Sequence, residues 1–324
     1  MPARGTASLV MQAVNSLTIT ILGWSLSRWR PSLPRRSTGV LSLLRFGGHL
    51  TAYNLVTFMS TNLDSVLIGR LCGSVELGLY DRALKLTAIP LWQISLPVAR
   101  VADSLLARLR GSEDRYRRAY LQMLEVLLLV TVPAVVCVAM SADTLVPLLL
   151  GRNWAPASPI VAWLAVATAF APLSISSYWL FVSQGRAAEQ LRYVCVKTAL
   201  SVTALLAGLP WGAAGVARSY ALLALFTNGS LLWGATRTGP VNLRSVGQAC
   251  LPFILAAAAT AVVMDVSAVR LSQAGLPPMQ RMVFNVLICY GTFAAALLCH
   301  PSGQKMIHRI WILRSSFGRA AVVP

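Results

Sequence analysis

The chain has 324 residues, of which 56% are hydrophobic and 12% charged, with 28 Lys and Arg against 10 Asp and Glu for a net charge of +18. Soluble domains carry about 25% charged residues, and several apolar runs here reach the roughly 20 residues that cross a bilayer, which excludes a water-soluble globule. The basic residues sit in short clusters between apolar runs, the signature of loops kept on the cytoplasmic side, so no nucleic-acid partner is expected. The fold class that follows is an all-α polytopic membrane protein.

The first expected helix covers 7–27. It lacks the basic leading segment and cleavage site of a signal peptide, and its strongest charges follow the apolar run. A basic inside loop holding Arg28, Arg30, Arg35, Arg36 and Arg45 comes next, broken by Pro31 and Pro34.

The second helix, about 46–68, carries the most informative pattern. At 100° per residue, His49, Tyr53, Asn54, Thr57, Ser60, Thr61 and Asp64 share an arc of roughly 140°. Leu55, Val56, Phe58, Met59, Leu63 and Val66 occupy the other side. Hydroxyls and a carboxylate exposed to acyl chains lose their hydrogen bonds, so the polar stripe must face a protein-lined or water-filled interior. His49, Tyr53, Asn54, Thr57, Thr61 and Asp64 are therefore cavity-lining candidates. Asn62 falls on the apolar side and is expected to bond to a neighbouring helix.

A short outside connection leads to a third helix, about 83–106, in which Pro90 and Pro97 predict a kink. The segment 108–118, with five arginines, is the most hydrophilic of the chain. Further spans are expected at about 119–142, 158–182, 193–210, 213–235, 246–264 and 281–300, which makes about nine transmembrane helices. Inside loops then hold 18 Lys and Arg and outside segments 7, which places the C-terminus in the cytoplasm. Residues 303–319 read as a basic amphipathic helix on the inner membrane surface.

Ionisable groups within the spans are few. Arg100 and Asp103 are spaced to pair on one helix face. Arg100 and Lys197, both near the inner boundary, would suit an anionic headgroup such as pyrophosphate if they face inward. The six cysteines show no CxxC spacing, and Cys289 and Cys299 lie about 15 Å apart along one helix, too far for a disulfide. Three histidines form no ligand cluster, so no metal or cofactor is expected. There is no phosphate-binding GxxxxGK[ST] loop, no HExxH and no GxSxG, and nothing points to an enzyme.

The run from Asn62 to Leu86 resembles the start of the second half of polysaccharide and oligosaccharide-lipid flippases, the Wzx-like branch of the multidrug/oligosaccharidyl-lipid/polysaccharide exporter superfamily. The matching positions are Asn62, Asp64, Ile68, Gly69, Gly73, Leu77, Gly78, Tyr80 and Ala83. Gly151, Trp154, Pro156 and Ala157 resemble one of the family's outside turns, and Gly208, Pro210, Gly212, Gly215 and Tyr220 another. Ser183, Gly185 and Arg186 resemble an inside turn. Four such motifs in the right order cover nearly the whole chain from about residue 7.

The resemblance implies two helical lobes around a cavity that opens alternately to each side of the cytoplasmic membrane. It implies a polyprenyl-pyrophosphate-linked glycan as substrate, surrounding membrane lipids, and movement without ATP. Multidrug extrusion and a non-transporting partner of a glycan-assembly complex remain as alternatives. Family members have about fourteen helices, and this chain starts near the sixth. Residues 1–45 would then be the last helix of the N-lobe and its loop, 46–300 the C-lobe, and 301–324 a cytoplasmic tail. Three expectations stay open for the missing N-terminal half: a longer true protein, a decayed remnant, or pairing with a separate half or a second copy.

Overall fold

The computed structural model describes residues 3–27, 40–273, 276–299 and 303, and every regular element among them is helical. Contacts divide the chain into two units, 1–44 and 45–324, with the division inside the opening turns of the second helix. The basic residues of 28–39 and the expected surface helix at 303–319 lie outside the described residues, apart from Gly303.

In chain order the helices are α1 (Ala3–Leu26), α2 (Val40–Leu71), α3 (Ser74–Arg108), α4 (Glu113–Met140), α5 (Ala142–Leu150) and α6 (Ser158–Thr168). They continue with α7 (Ala171–Ser183), α8 (Ala187–Gly208), α9 (Gly212–Thr236), α10 (Leu243–Gln273) and α11 (Pro278–Cys299). Short 3-10 turns at Arg152–Ala157 and Leu209–Trp211 precede α6 and α9. Five stretches of the described residues are long and apolar enough to cross a membrane: Glu113–Met140, Arg152–Ser183, Ala187–Thr236, Leu243–Leu271 and Pro278–Cys299. The third of these contains both α8 and α9. Helices α2 and α3, at 32 and 35 residues, are about 50 Å long and also exceed a hydrocarbon core of roughly 30 Å, but are less apolar. The protein is a polytopic helical membrane protein.

The nine expected spans fall on α1, α2, α3, α4, the α6–α7 pair, α8, α9, α10 and α11. Two differences have physical causes. The span expected at 158–182 is interrupted between Thr168 and Ala171. Pro172 has no N–H to give to the carbonyl four residues back, and its ring crowds that carbonyl, so a helix running up to Thr168 cannot continue through it. The nine-residue α5 is too short to register as a span. Helix α3 runs through Pro90 and Pro97 without interruption.

Two apolar clusters flank the middle of the second unit. One joins Ile68, Tyr80, Val146, Ile160, Leu205 and Val216 from α2, α3, α5, α6, α8 and α9. The other joins Leu106, Tyr120, Trp179, Leu231, Phe253 and Phe293 from α3, α4, α7, α9, α10 and α11. Helix α9 enters the first at Ala213–Ala217 and the second at Leu231–Ala235, which leaves its central turns between them.

Candidate functional site

Between the two clusters lies a cavity of about 310 Å³, walled by α2, α3, α6, α7, α8 and α9. Most of the residues that line it carry a polar side chain, set among apolar ones, whereas the flanking clusters are apolar. Helix α2 contributes Tyr53, Thr57, Ser60, Thr61 and Asp64. The i, i+4, i+7, i+8, i+11 spacing of the stripe puts these side chains on one face of a single helix.

Asp64 ties three helices together. Its Oδ1 accepts a 2.6 Å hydrogen bond from the Tyr220 hydroxyl on α9, and its Oδ2 a 3.3 Å bond from the Tyr80 hydroxyl on α3. One residue on, Ser65 donates to Asp81 Oδ1 at 3.1 Å. A half-buried carboxylate satisfied by phenols keeps its position without a cationic partner. Lys197 also lines the cavity, and its Nζ donates to Ser174 Oγ on α7 at 3.1 Å. Lys197 forms no ion pair with a described carboxylate. An ammonium held by a hydroxyl alone retains most of its attraction for an anion.

The break between α6 and α7 opens onto the same space, with Ala167, Thr168, Ala171 and Ser174 in the wall. Irregular backbone at membrane depth is tolerated where it is buried or lines a cavity, and interrupted helices are a common way to build a binding site there.

Other expected site residues fall elsewhere. His49 and Asn54 share the stripe but not the wall: His49 Nδ1 contacts the Arg45 carbonyl at 2.6 Å, and Asn54 is exposed. Arg100 is exposed on α3 and does not line the cavity, so it does not join Lys197 in a cationic vestibule. Lys197 itself is mid-helix, because α8 starts at Ala187, six residues before the expected boundary. Arg100 and Asp103 form no ion pair, and Asp103 Oδ1 has no hydrogen-bond partner. Asn62 bonds the Phe58 carbonyl of its own helix at 2.7 Å rather than a neighbour.

Several lining residues were missed by the sequence reading: Thr198 and Ser201 on α8, and Tyr220, Thr227 and Asn228 on α9. Their signal was the same helical spacing, 194-197-198-201 and 220-224-227-228-231, diluted by alanine and leucine.

Helix α9, which brings Tyr220, Thr227 and Asn228 to the wall, is held at both ends by charges that suit its dipole. At its N-terminus the Glu76 carboxylate accepts the Ala213 N–H at 3.0 Å. At its C-terminus the Arg186 guanidinium donates to the carbonyls of Gly234, Ala235 and Thr238 at 3.1, 3.0 and 2.6 Å. A carboxylate at the positive end and a guanidinium at the negative end are both favourable. Gly185 delivers Arg186 to that place by turning the chain at φ 73, a conformation that suits glycine.

Residues 1–159 match a family model described as polysaccharide biosynthesis protein. Teichuronic acid biosynthesis protein TuaB of Bacillus subtilis is 26% identical over 265 residues, covering 81% of this chain and 55% of TuaB. Lipopolysaccharide biosynthesis protein WzxC of Escherichia coli is 25% identical over 216 residues, covering 66% of this chain and 44% of WzxC. The chain thus spans about half the length of these curated relatives. Lipid II flippase MurJ in an inward closed conformation shares the fold, with a TM-score of 0.62 at 11% identity over 87% of this chain and 59% of that one. The chain is thus similar over residues 1–159 to polysaccharide biosynthesis proteins, and over most of its length to TuaB and WzxC.

Proposed function

We propose that this chain forms a lobe of a carrier that moves a lipid-linked saccharide across the cytoplasmic membrane, acting as a transporter and not as a catalyst. The observation that carries the reading is a cavity with Asp64, Tyr220, Lys197 and several hydroxyl side chains in its wall, inside an otherwise apolar bundle. The substrate class is a polyprenyl-pyrophosphate-linked glycan. Sugar hydroxyls suit the wall of Thr57, Ser60, Thr61, Thr198, Ser201 and Asn228, which offers donors and acceptors without fixed charge. The pyrophosphate suits Lys197, a compact cation in a low-dielectric setting.

The orientation in this reading keeps the C-terminus cytoplasmic, as the surplus of basic residues on that side requires. Movement follows alternating access, with this lobe rocking against a facing one, carried on the same polypeptide or on another.

The test is a host whose own copy carries Asp64→Ala or Lys197→Gln as the sole change. Surface glycan should fall and the lipid-linked precursor accumulate in the membrane, while immunoblots show the protein at its normal level. Full export in both strains would overturn the assignment.

A further inference from the structure

The turn between α3 and α4 joins two features that the cavity does not use. The first is a groove of about 390 Å³ between the two helices. Pro97, Val101 and Leu105 form one side, and Ala119, Met123 and Val126 the other, with Gln122 the polar exception. Val101 and Val126 are 54% and 41% exposed, so the groove opens outward to where a bilayer's acyl chains would lie. An apolar groove facing lipid is filled by lipid, because no water is there to fill it.

The second feature is charge at the groove's end. Residues 108–118 hold five arginines against Glu113 and Asp114. Those two acids do not neutralise the segment. Asp114 takes the Arg117 guanidinium at 2.8 Å, and its carbonyl takes Arg118 Nε at 3.2 Å. Arg108 and Arg115 are exposed, and neither forms an ion pair with a described carboxylate. Helical register aims both at the groove. Arg108 falls within about 75° of Pro97, Val101 and Leu105, and Arg115 within about 80° of Ala119, Met123 and Val126. The two lie about 4.5 and 6 Å of helix rise beyond the last groove residue on their helices. The groove itself runs about 10–12 Å along each helix, enough for the upper part of an acyl chain.

We propose that this groove, with Arg108 and Arg115 at its mouth, is a binding site for an anionic phospholipid of the surrounding membrane. One acyl chain occupies the apolar cleft, and the phosphate meets the guanidinium pair. Guanidinium and phosphate match in charge and in their planar, two-pronged hydrogen-bond geometry. Clusters of basic residues next to a membrane-spanning helix attract anionic lipid, whereas an apolar groove alone would accept any phospholipid. The charge therefore sets the headgroup and the groove sets the position. The site requires only that the α3–α4 turn lie at a membrane surface, so it stands apart from the assignment of the cavity. A lipid there would bind α3 to α4 at the end of α3 remote from Tyr80 and Asp64.

The purified full chain is reconstituted in phosphatidylcholine vesicles containing a small fraction of a diazirine-bearing lipid, either phosphatidylglycerol or phosphatidylcholine. After illumination, labelled peptides are mapped by mass spectrometry. Peptides spanning 97–126 should carry about tenfold more label from the anionic probe than from the neutral one, the effect expected of two arginines partly screened by salt. Arg108→Gln with Arg115→Gln should bring anionic labelling down to the neutral level and leave neutral labelling unchanged. Val101→Trp, which fills the cleft, should reduce both at these peptides. Both arginines are exposed, so the double variant keeps its fold, checked by an unchanged circular dichroism spectrum. Equal labelling by the two lipids in the wild type would overturn the proposal. So would a preference that survives the double variant, or an equal preference on 278–299.

Discussion

Removing the Arg186 guanidinium is the sharpest test of how the cavity wall is held. Its nitrogens reach the Gly234, Ala235 and Thr238 carbonyls, Gln184 Oε1 at 3.2 Å, and both Glu189 oxygens at 3.1 and 2.5 Å. The guanidinium also lies 5.1 Å over the Phe181 ring. The Arg186 side chain is 13% exposed and that of Glu189 44%, so the two sets of partners differ in weight. The Glu189 pair is close to solvent and contributes no more than about 1 kcal/mol. The carbonyls are the end of α9, and a charged donor to each contributes about 1.5 kcal/mol before water competes for the outermost. Arg186→Ala should therefore cost about 3 kcal/mol, with Arg186→Lys recovering about a third, since an ammonium cannot span three carbonyls. Glu189→Gln should cost less than about 1 kcal/mol. The assay is reversible unfolding of the purified chain in detergent, followed by circular dichroism. The reasoning fails if Arg186→Ala stays within about 0.5 kcal/mol of wild type, or if Glu189→Gln costs as much as Arg186→Ala.

Other expectations follow from the same geometry. Glu76→Ala, at the opposite end of α9, should cost about 1–2 kcal/mol and Glu76→Gln about half as much, because the amide oxygen still accepts the Ala213 N–H without the charge. Tyr220→Phe should destabilise the protein by about 1.5–3 kcal/mol and Tyr80→Phe by less, following the 2.6 and 3.3 Å bonds to Asp64; equal effects would contradict the assignment of the strong bond. Gly185→Ala should cost about 1–2 kcal/mol in the same unfolding assay, since an L side chain is strained at φ 73.

The stripe on α2 was legible because seven polar residues on one face of an apolar helix permit few arrangements, and five of them do line one wall. The ends of that stripe were not legible. Whether His49 and Asn54 see the cavity depends on where the facing helices stop, which periodicity along α2 does not encode. Lys197 was misplaced for a simpler reason: hydropathy starts α8 where the apolar run starts, but the helix includes the polar turn Ala187–Arg192. The break at Pro172 was hidden by continuous apolar composition on both sides of it. The Arg186 clasp was out of reach altogether, because its carbonyl partners are about fifty residues away in sequence. Its turn, by contrast, was visible as Ser183, Gly185 and Arg186.

The central claim is that the cavity beside Asp64 is the path of the lipid-linked saccharide, and site-specific photo-cross-linking addresses it directly. A benzoylphenylalanine is placed at Thr61 or Ser201 in the wall, or at Leu225 or Phe226, which are 51% and 67% exposed on α9. Cells making phosphate-labelled lipid-linked glycan are illuminated and the protein is recovered. The account predicts labelled adducts from Thr61 and Ser201 and none above background from Leu225 and Phe226. Adducts of equal yield from all four positions, or none from the wall while labelled precursor is abundant, would contradict it.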